Sequence, residues 1–170
     1  MTSMPRSMAD VSAISEIEPQ VFRRVLGHFL TGVAVVSGMD GKDPVGLAVG
    51  SFFSISLDPP LVGFCAADSS ATWPVIKRSG RFCVNVLAAD QESVCRQFAR
   101  TGTDKFDGVG WASSAGGCPR IDDVIVWIDC EIEAVHVAGD HEICIGRVQA
   151  LGEGRRSAPL AFFRGGHRIG

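Results

Sequence analysis

The length, composition and charge of the chain restrict what it can be before any motif is considered. Its 170 residues are 46% hydrophobic and 21% charged, with 20 glycines and no tyrosine, which is typical of one folded domain. The net charge of -3 and the pI near 5.8 provide no broad basic field, so nucleic acid is not an expected partner. No stretch approaches the roughly 20 apolar residues of a membrane helix, and no apolar block of a signal peptide opens the chain, so we expect a cytoplasmic protein.

Residues 1–17 show no usable period and predict a loose extension that precedes a single domain over 18–170. The domain opens with "EPQVFRRVLGHF", whose apolar residues share one helical face that should pack on the rest of the molecule. These residues are Val21, Phe22, Val25, Leu26 and Phe29.

Most of the remaining chain predicts β-strands. "GVAVVSG" and "PVGLAVGSFFSIS" flank an Asp-Gly turn and predict a hairpin, and the two prolines that follow should end its second strand. "LVGFCAA", "RFCVNVL", "VIVWIDCEIEAVHV", "HEICIGRVQAL" and "PLAFFRG" bring the prediction to about seven strands. In "VIVWIDCEIEAVHV" the apolar residues alternate with Asp129, Glu131 and Glu133, so these three acidic residues should face water.

Two short helices interrupt the strands. One runs from about Thr72 to Arg78 and ends at Gly80, and the other runs from Asp90 to Arg100 and ends at Gly102. Strands joined mainly by tight turns predict a mainly β, antiparallel barrel rather than a βαβ fold. No G-x-G-x-x-G run follows a predicted strand, so a Rossmann-type nucleotide site is not supported.

The six cysteines form no C-x-x-C pair, which disfavours a zinc ribbon or a thioredoxin-type site. Several lie in apolar runs such as "RFCVNVL", where a free thiol behaves as a small buried hydrophobe. We therefore predict reduced thiols in the core.

Small residues recur in the segment 44–62. Gly46, Ala48 and Gly50 are two apart, so they share one strand face that is almost without side chains. A flat ligand could lie on such a face, but a crowded barrel corner would select the same residues. Both interpretations stay open at this point.

Hydroxyl groups gather before the first internal helix. Ser69, Ser70 and Thr72 stand where free backbone N–H groups could receive a phosphate. Ordinary capping of the helix by Ser or Thr is the alternative. Further on, Lys105 and Phe106 could meet a phosphate and cover a ring, although a loop lysine is more often only solvated.

His141 follows Asp140 at the mouth of a predicted strand. The other histidines show no metal-ligand spacing relative to it, so we expect no metal site. Neighbouring strand residues point to opposite faces, and the chain has no G-x-S-x-G elbow, so a hydrolase is also disfavoured.

The blocks "TGVAVVSG", "VGLAVGSFFSISLDPPLV", "SGRFCVNVL", "DKFDGVGW", "GDHEICIG" and "LAFFRG" together resemble the flavin reductase family, in its order, over about residues 19–168. The resemblance is closest to small reductase components of two-component flavin-dependent monooxygenases. It implies a homodimeric, FMN-binding split β-barrel that reduces FMN or FAD with NADH or NADPH. Reduced flavin would then diffuse to a separate oxygenase.

The resemblance also implies roles for particular residues. The flavin would lie along a first strand, a second segment would hold its ribityl and phosphate portion, and Lys105 with Phe106 would contact it. His141 would face the nicotinamide, and Arg164 would help to hold the pyridine nucleotide. The first strand comprises Val45, Gly46, Leu47, Ala48, Gly50 and Ser51, and the second segment comprises Ala66, Ala67, Asp68, Ser69, Ser70, Ala71 and Thr72.

Two segments depart from the family pattern. Val49 and Gly50 stand where many relatives carry Asn or Thr, and Phe163 precedes Arg164 where an aromatic Tyr is frequent, with His167 at the later position. These differences bear on cofactor preference more than on the fold.

Two other functions compete with a reductase. The same barrel could retain flavin or haem as a carrier or sensor without turnover. It could also be an oxidase of a phosphorylated amine, similar to pyridoxamine phosphate oxidase, for which Arg155 and Arg156 form the only obvious basic pair.

Overall fold

The computed structural model describes residues 17–102 and 104–169, and the predicted extension therefore lies almost wholly outside the described residues. In chain order the elements are α1 (Pro19–Leu26), β1 (Thr31–Gly32), β2 (Ala34–Asp40), β3 (Asp43–Val49), β4 (Phe53–Leu57), β5 (Pro60–Ala67), α2 (Trp73–Ser79), β6 (Arg81–Val86), α3 (Glu92–Phe98), β7 (Trp111–Ser113), β8 (Pro119–Ile121), β9 (Val126–Ala138), β10 (His141–Glu153), β11 (Leu160–Phe163) and β12 (Gly166–Ile169).

The strands pair antiparallel throughout, as predicted. The main sheet has seven strands in the order β3-β2-β6-β9-β10-β5-β4, and smaller sheets join β1-β11-β12 and β7-β8. Leu47 of β3 and Phe64 of β5 share one core cluster although their strands are far apart in the sheet order. The sheet therefore curls into an incomplete, split barrel around that core.

The predicted second strand of the hairpin is in fact two strands. β3 ends at Val49 and β4 begins at Phe53, with Ser51 between them. Its hydroxyl accepts from the N–H of Cys65 at 2.9 Å and donates to the Cys65 carbonyl at 3.1 Å. The Ser51 side chain thus replaces a backbone hydrogen-bonded pair with β5, and the chain can bend between β3 and β4. The short strands β1, β7, β8 and β12 were not predicted.

The prediction that Asp129 faces water is wrong. Asp129 is only 1% exposed, and its Oδ2 accepts from the N–H of Gly116 at 2.9 Å. The loop between β7 and β8 covers this part of β9. The alternation of polar and apolar residues along a strand cannot predict that a distant loop will bury one of its polar residues. Glu133, farther along the strand, is exposed as predicted.

A buried amide fastens β8 to the centre of the main sheet. Asn85 of β6 is fully buried, and its Nδ2 donates to the hydroxyl of Ser37 at 3.0 Å and to the Pro119 carbonyl at 3.3 Å. Its Oδ1 accepts from the N–H of Ile121 at 2.7 Å. One side chain therefore satisfies groups on several elements at once, which is the usual condition for burying an amide.

The apolar face of α1 is not buried by the described residues, contrary to prediction. No residue of α1 is buried, and Phe22 and Val25 are 54% and 56% exposed. The helix is amphipathic, as its sequence indicates, but the described residues do not bury its apolar face. No helix in 17–102 or 104–169 combines the length and apolar character needed to cross a membrane.

A buried indole and a carboxylate anchor α2 to β10. The Nε1–H of Trp73, which begins α2, donates to Oε2 of Glu142 at 2.6 Å, and Nζ of Lys77 lies 2.9 Å from the same carboxylate. The bonds to Lys77 and Trp73 hold the pKa of Glu142 below its ordinary value. α2 ends at Gly80, whose φ of 72° is the left-handed conformation that glycine adopts freely.

Replacing Asn85 with alanine should lower the free energy of unfolding by about 2–4 kcal/mol, because several buried groups would lose their partner together. Urea unfolding followed by circular dichroism measures this change. Gln149→Ala removes a similar amide from an exposed site and should change stability by less than about 0.5 kcal/mol. A loss at Asn85 no larger than at Gln149 would contradict the role assigned to the buried amide.

The bond between Trp73 and Glu142 should weaken as the pH falls through the lowered pKa of Glu142. A carboxylate with a lowered pKa stabilises the fold above its unfolded pKa, and that contribution is lost on acidification. The indole N–H resonance of Trp73, assigned with Trp73→Phe, should therefore titrate with a midpoint below about 4.3 in NMR spectra. In Glu142→Gln this titration should disappear, and a midpoint above that value would exclude the proposed bond.

Candidate functional site

Two adjoining hollows meet at Lys105. The larger has a volume of about 640 Å³ and extends toward the turn between β2 and β3, and the smaller, of about 220 Å³, extends toward the end of β5. Both are lined by Ala71, Thr72, Gly102 and Lys105. They form one cleft between β3, the start of α2 and the loop after α3, and its volume is in the range of small-molecule sites.

The ammonium of Lys105 lies at the junction of the hollows. Its Nζ donates to the carbonyl of Gly46 at 3.2 Å and to the hydroxyl of Thr72 at 3.4 Å. Both acceptors are uncharged, and partial burial lowers the pKa of Lys105 from its ordinary value. A partly desolvated cation with neutral partners favours an anionic ligand, since a charge-assisted hydrogen bond would offset its desolvation.

The loop before α2 supplies hydroxyls to the smaller hollow. Ser69, Ser70 and Thr72 line it, and their contact with a phosphate stays a prediction. The hydroxyl of Ser70 also accepts from the N–H of Trp73 at 3.2 Å, so it has the capping role that was the alternative. Ser69 and Thr72 remain the hydroxyls of this loop best placed for a ligand.

The glycine-rich face of β3 is not open to a flat ligand. A Cβ built on Gly46 would lie 2.6 Å from Cε1 of Phe98, and Ala48 packs against the same core cluster. The crowded alternative is therefore correct for Gly46, whose missing side chain leaves room for the Phe98 ring. β3 contributes to the cleft through Val45 and the Gly46 carbonyl, and through Leu47 at the smaller hollow.

His141 and Asp140 interact directly, contrary to the prediction that they point to opposite faces. Asp140 lies in the turn before β10, so strand alternation does not apply to it. Nδ1 of His141 lies 2.7 Å from Oδ1 of Asp140, and this bond lowers the pKa of Asp140. An ionised carboxylate can only accept, so Nδ1 carries the proton, and Nε2 of a neutral ring is left as an acceptor.

His141 lies beside the end of the cleft rather than in its wall. It pairs with Ala67 of β5, which lines the smaller hollow, and the N–H of Asp68 donates to the Asp140 carbonyl at 3.0 Å. Arg164 occupies the turn between β11 and β12, where its N–H donates to the Gly27 carbonyl at 2.8 Å. It lines neither hollow.

The predicted residues therefore divide into two sets. Those that line the cleft are Val45, Gly46, Leu47, Ala67, Ser69, Ser70, Ala71, Thr72, Lys105 and Phe106. Those that lie outside its lining are Ala48, Gly50, Ser51, Ala66, Asp68, His141 and Arg164. Ala66 is buried in the core, and Ser51 is bonded to the backbone of Cys65.

Sequence reasoning missed the contribution of α3. Nε2 of Gln97 donates to the carbonyls of Lys105 at 3.0 Å and Asp107 at 2.7 Å, and the ring of Phe98 stacks edge-on against Phe106 at 4.8 Å between centroids. The apolar spacing of α3 could have indicated that Phe98 is buried. No pattern marks a glutamine that holds a loop.

Arg155 offers little to a substrate phosphate. Its guanidinium is paired with the carboxylate of Asp90, and it lies in a loop away from both hollows of the cleft. The basic pair that an amine-phosphate oxidase would need is therefore partly neutralised.

Comparison with known proteins agrees with this geometry. Residues 26–170 match the model of the flavin reductase like domain. The chain is 49% identical over 154 residues to a flavin reductase of Pseudomonas putida, covering 90% of this chain and 91% of that protein. It is 47% identical over 153 residues to HsaB, the reductase subunit of a flavin-dependent monooxygenase from Rhodococcus jostii, covering 90% and 78%.

A solved structure shares the fold. An NADH:FAD oxidoreductase of Streptomyces globisporus, in complex with NAD and FAD fragments, superposes with a TM-score of 0.84 at 33% identity, covering 92% of this chain and 96% of that one. Since the family model spans most of the chain and close relatives match along nearly all of it, this protein belongs to the flavin reductase family.

Proposed function

We propose that this protein is an NAD(P)H:flavin oxidoreductase, which transfers a hydride from NADH or NADPH to FMN or FAD and supplies reduced flavin to a partner monooxygenase. The observation that carries the proposal is Lys105, a partly buried ammonium whose acceptors among the described residues are the uncharged Gly46 carbonyl and Thr72 hydroxyl, at the junction of the two hollows. In a member of this family, that arrangement suits the phosphate of a flavin.

The cleft is large enough for a flavin, and its smaller hollow also fits a phosphate in charge, because Lys105 and Arg100 line it and no carboxylate of the described residues does. The four aspartates of the cleft line the larger hollow: Asp40, Asp43, Asp104 and Asp107. Lys105 would hold the phosphate, and the hydroxyls of Ser69 and Thr72 would donate to it. Leu47 and Ala67 would flank the apolar ring portion in the smaller hollow. When bound, the nicotinamide and the flavin supply the hydride chemistry themselves, so the protein needs no nucleophile.

His141 would orient the nicotinamide. Because Asp140 accepts from Nδ1, the neutral ring presents Nε2 as an acceptor, which suits the amide N–H₂ of a nicotinamide. Accurate placement of two reacting groups is a large part of catalysis in a direct transfer. Arg164 would contribute to pyridine-nucleotide binding from its exposed turn.

We also propose that the protein forms a homodimer. β4 is an edge strand whose outward residues Phe53, Ile55 and Leu57 are 42%, 42% and 92% exposed. α1 presents a second apolar face that residues 17–102 and 104–169 leave uncovered. A second copy of the chain would cover both the edge strand and the helix. Natural proteins protect exposed sheet edges and large apolar patches in some such way.

The oxygenase partner would receive reduced flavin by diffusion. A cytoplasmic location, where reduced nicotinamide cofactors are available and free thiols persist, is part of the same proposal.

Purified protein should oxidise NADH or NADPH only when FMN or FAD is added, with saturation in both substrates. The decrease in nicotinamide absorbance measures this directly, with each flavin and each nucleotide tried in turn. Flavin that stays bound and cannot be bleached by either nucleotide would contradict the reductase function and favour a carrier.

Substitutions at the two ends of the site should separate flavin binding from nucleotide use. Lys105→Met should weaken flavin binding by about tenfold or more, because a charge-assisted hydrogen bond is lost. His141→Ala should impair the use of NADH while flavin affinity, measured by fluorescence quenching, changes little. Lys42→Met and His136→Ala alter exposed residues outside both hollows and serve as matched controls. Equal effects of Lys105→Met and His141→Ala on both ligands would refute the assigned roles.

A further inference from the structure

A second array of reactive side chains joins α3 to β12, outside the cleft. Sγ of Cys95 lies 3.3 Å from Nε2 of His167, and Nδ1 of the same ring lies 3.1 Å from Oε1 of Glu92. Arg96 binds that carboxylate oxygen through Nε at 3.0 Å and through Nη2 at 2.5 Å. A thiol, an imidazole and a carboxylate thus stand in a hydrogen-bonded line.

The charge of Glu92 fixes the direction of these bonds. Arg96, and next His167, hold the pKa of Glu92 below its ordinary value, so the carboxylate is ionised and can only accept. Nδ1 of His167 then carries a proton, and when the ring is neutral Nε2 accepts from the thiol of Cys95. This is the order of nucleophile, base and orienting acid that activates a cysteine or serine elsewhere.

The other cysteines lack such a base in the described part of the chain. Burial raises the pKa of Cys118 to about 11 and the pKa of Cys130 and Cys144 to about 12. Burial also raises the pKa of Cys95, so its resting form is the thiol. Its reaction therefore depends on His167 removing the proton as an electrophile arrives.

α3 connects this array to the flavin cleft. Two residues beyond Cys95, Gln97 holds the carbonyls of Lys105 and Asp107, and the next residue, Phe98, packs against Phe106 and fills the space over Gly46. An added oxygen atom at the Cys95 sulfur would have to be accommodated by a shift of α3, because packed interiors do not deform freely. Such a shift would reach the backbone that carries Lys105.

We propose that Cys95 is a peroxide-sensitive thiol, activated by His167, whose oxidation weakens flavin binding. The inference rests on the proposed function for the source of the oxidant, since reduced flavin and O₂ give oxidised flavin and H₂O₂. The thiol proton passes to Nε2 of His167 while the sulfur attacks one peroxide oxygen and the O–O bond breaks. The departing hydroxide takes the proton and leaves as water, and the two-electron oxidation of sulfur yields a sulfenic acid.

The test uses flavin-free, full-length protein treated with H₂O₂ and dimedone, with labelled peptides measured by mass spectrometry. Cys65 is the internal comparison, because it is more exposed than Cys95 but has no histidine partner in the described residues. We expect Cys95 to be labelled before Cys65, and His167→Phe to slow labelling of Cys95 by at least about tenfold while Cys65 is unchanged. Glu92→Gln, which keeps the side-chain shape, should slow it by a smaller factor.

Two results would overturn the assignment of the thiol. One is faster labelling of Cys65 than of Cys95, and the other is an unchanged rate at Cys95 in both His167→Phe and Glu92→Gln. Because no flavin is present, these outcomes do not depend on the reductase activity. They therefore differ from a failure of the proposed function.

The effect on the cleft is measured by flavin fluorescence quenching after mild oxidation. Wild-type protein should lose flavin affinity by about fivefold or more, whereas Cys95→Ser should bind flavin equally well before and after peroxide. Unchanged affinity of protein fully oxidised at Cys95 would overturn the proposed regulation.

Discussion

The contact of Lys105 with the Gly46 carbonyl and the Thr72 hydroxyl is the constraint on which the cleft depends. It draws together an edge strand, the loop before α2 and the loop after α3, which are far apart in sequence. The two acceptors carry no formal charge, so the ammonium remains incompletely compensated for its burial. The surrounding structure must hold this geometry, because the lysine alone would prefer water.

Two further devices supply that support, one on each side of the lysine. Gln97 binds the carbonyl of Lys105 itself, so α3 fixes the backbone from which the side chain extends. On the other side, Glu142 ties Trp73 and hence the start of α2, where Thr72 stands. Glu142 follows His141 at the start of β10, so one end of this strand presents the imidazole of His141 and, through Glu142, positions the loop before α2. We infer that the two halves of the proposed reaction share this strand end.

The sequence predicted the antiparallel barrel, the hairpin of β2 and β3 and both internal helices, because these features follow from local periodicity and from Gly and Pro positions. Ten of the residues that the family resemblance assigned to cofactor binding line the cleft, and their roles there stay predictions. Prediction from the sequence failed where tertiary cover decides the outcome. Asp129 alternates with apolar residues and yet is buried by a loop, and α1 is amphipathic and yet no part of the described chain buries it. The sequence could not predict the contact between Cys95 and His167 either, because 71 residues lie between them. The pairing of β12 with β11 brings the histidine to α3.

Three glycines in the strands each mark a close neighbour, as the sequence predicts, but that neighbour is a side chain of the protein and not a ligand. A glycine inside a strand predicts the close approach of a ligand or of another part of the chain. At Gly46 the approaching group is the ring of Phe98, at Gly63 it is Phe53, and at Gly152 it is Trp127. In each case the missing Cβ makes a recess for an aromatic ring of the same chain. At these three positions the glycine indicates a flat neighbour but not whether that neighbour is a cofactor, whereas at Gly38 the close neighbour is the aliphatic side chain of Ile76. In β3 the Gly46 carbonyl, at the edge of the backbone, still faces the cleft, where it accepts from Lys105.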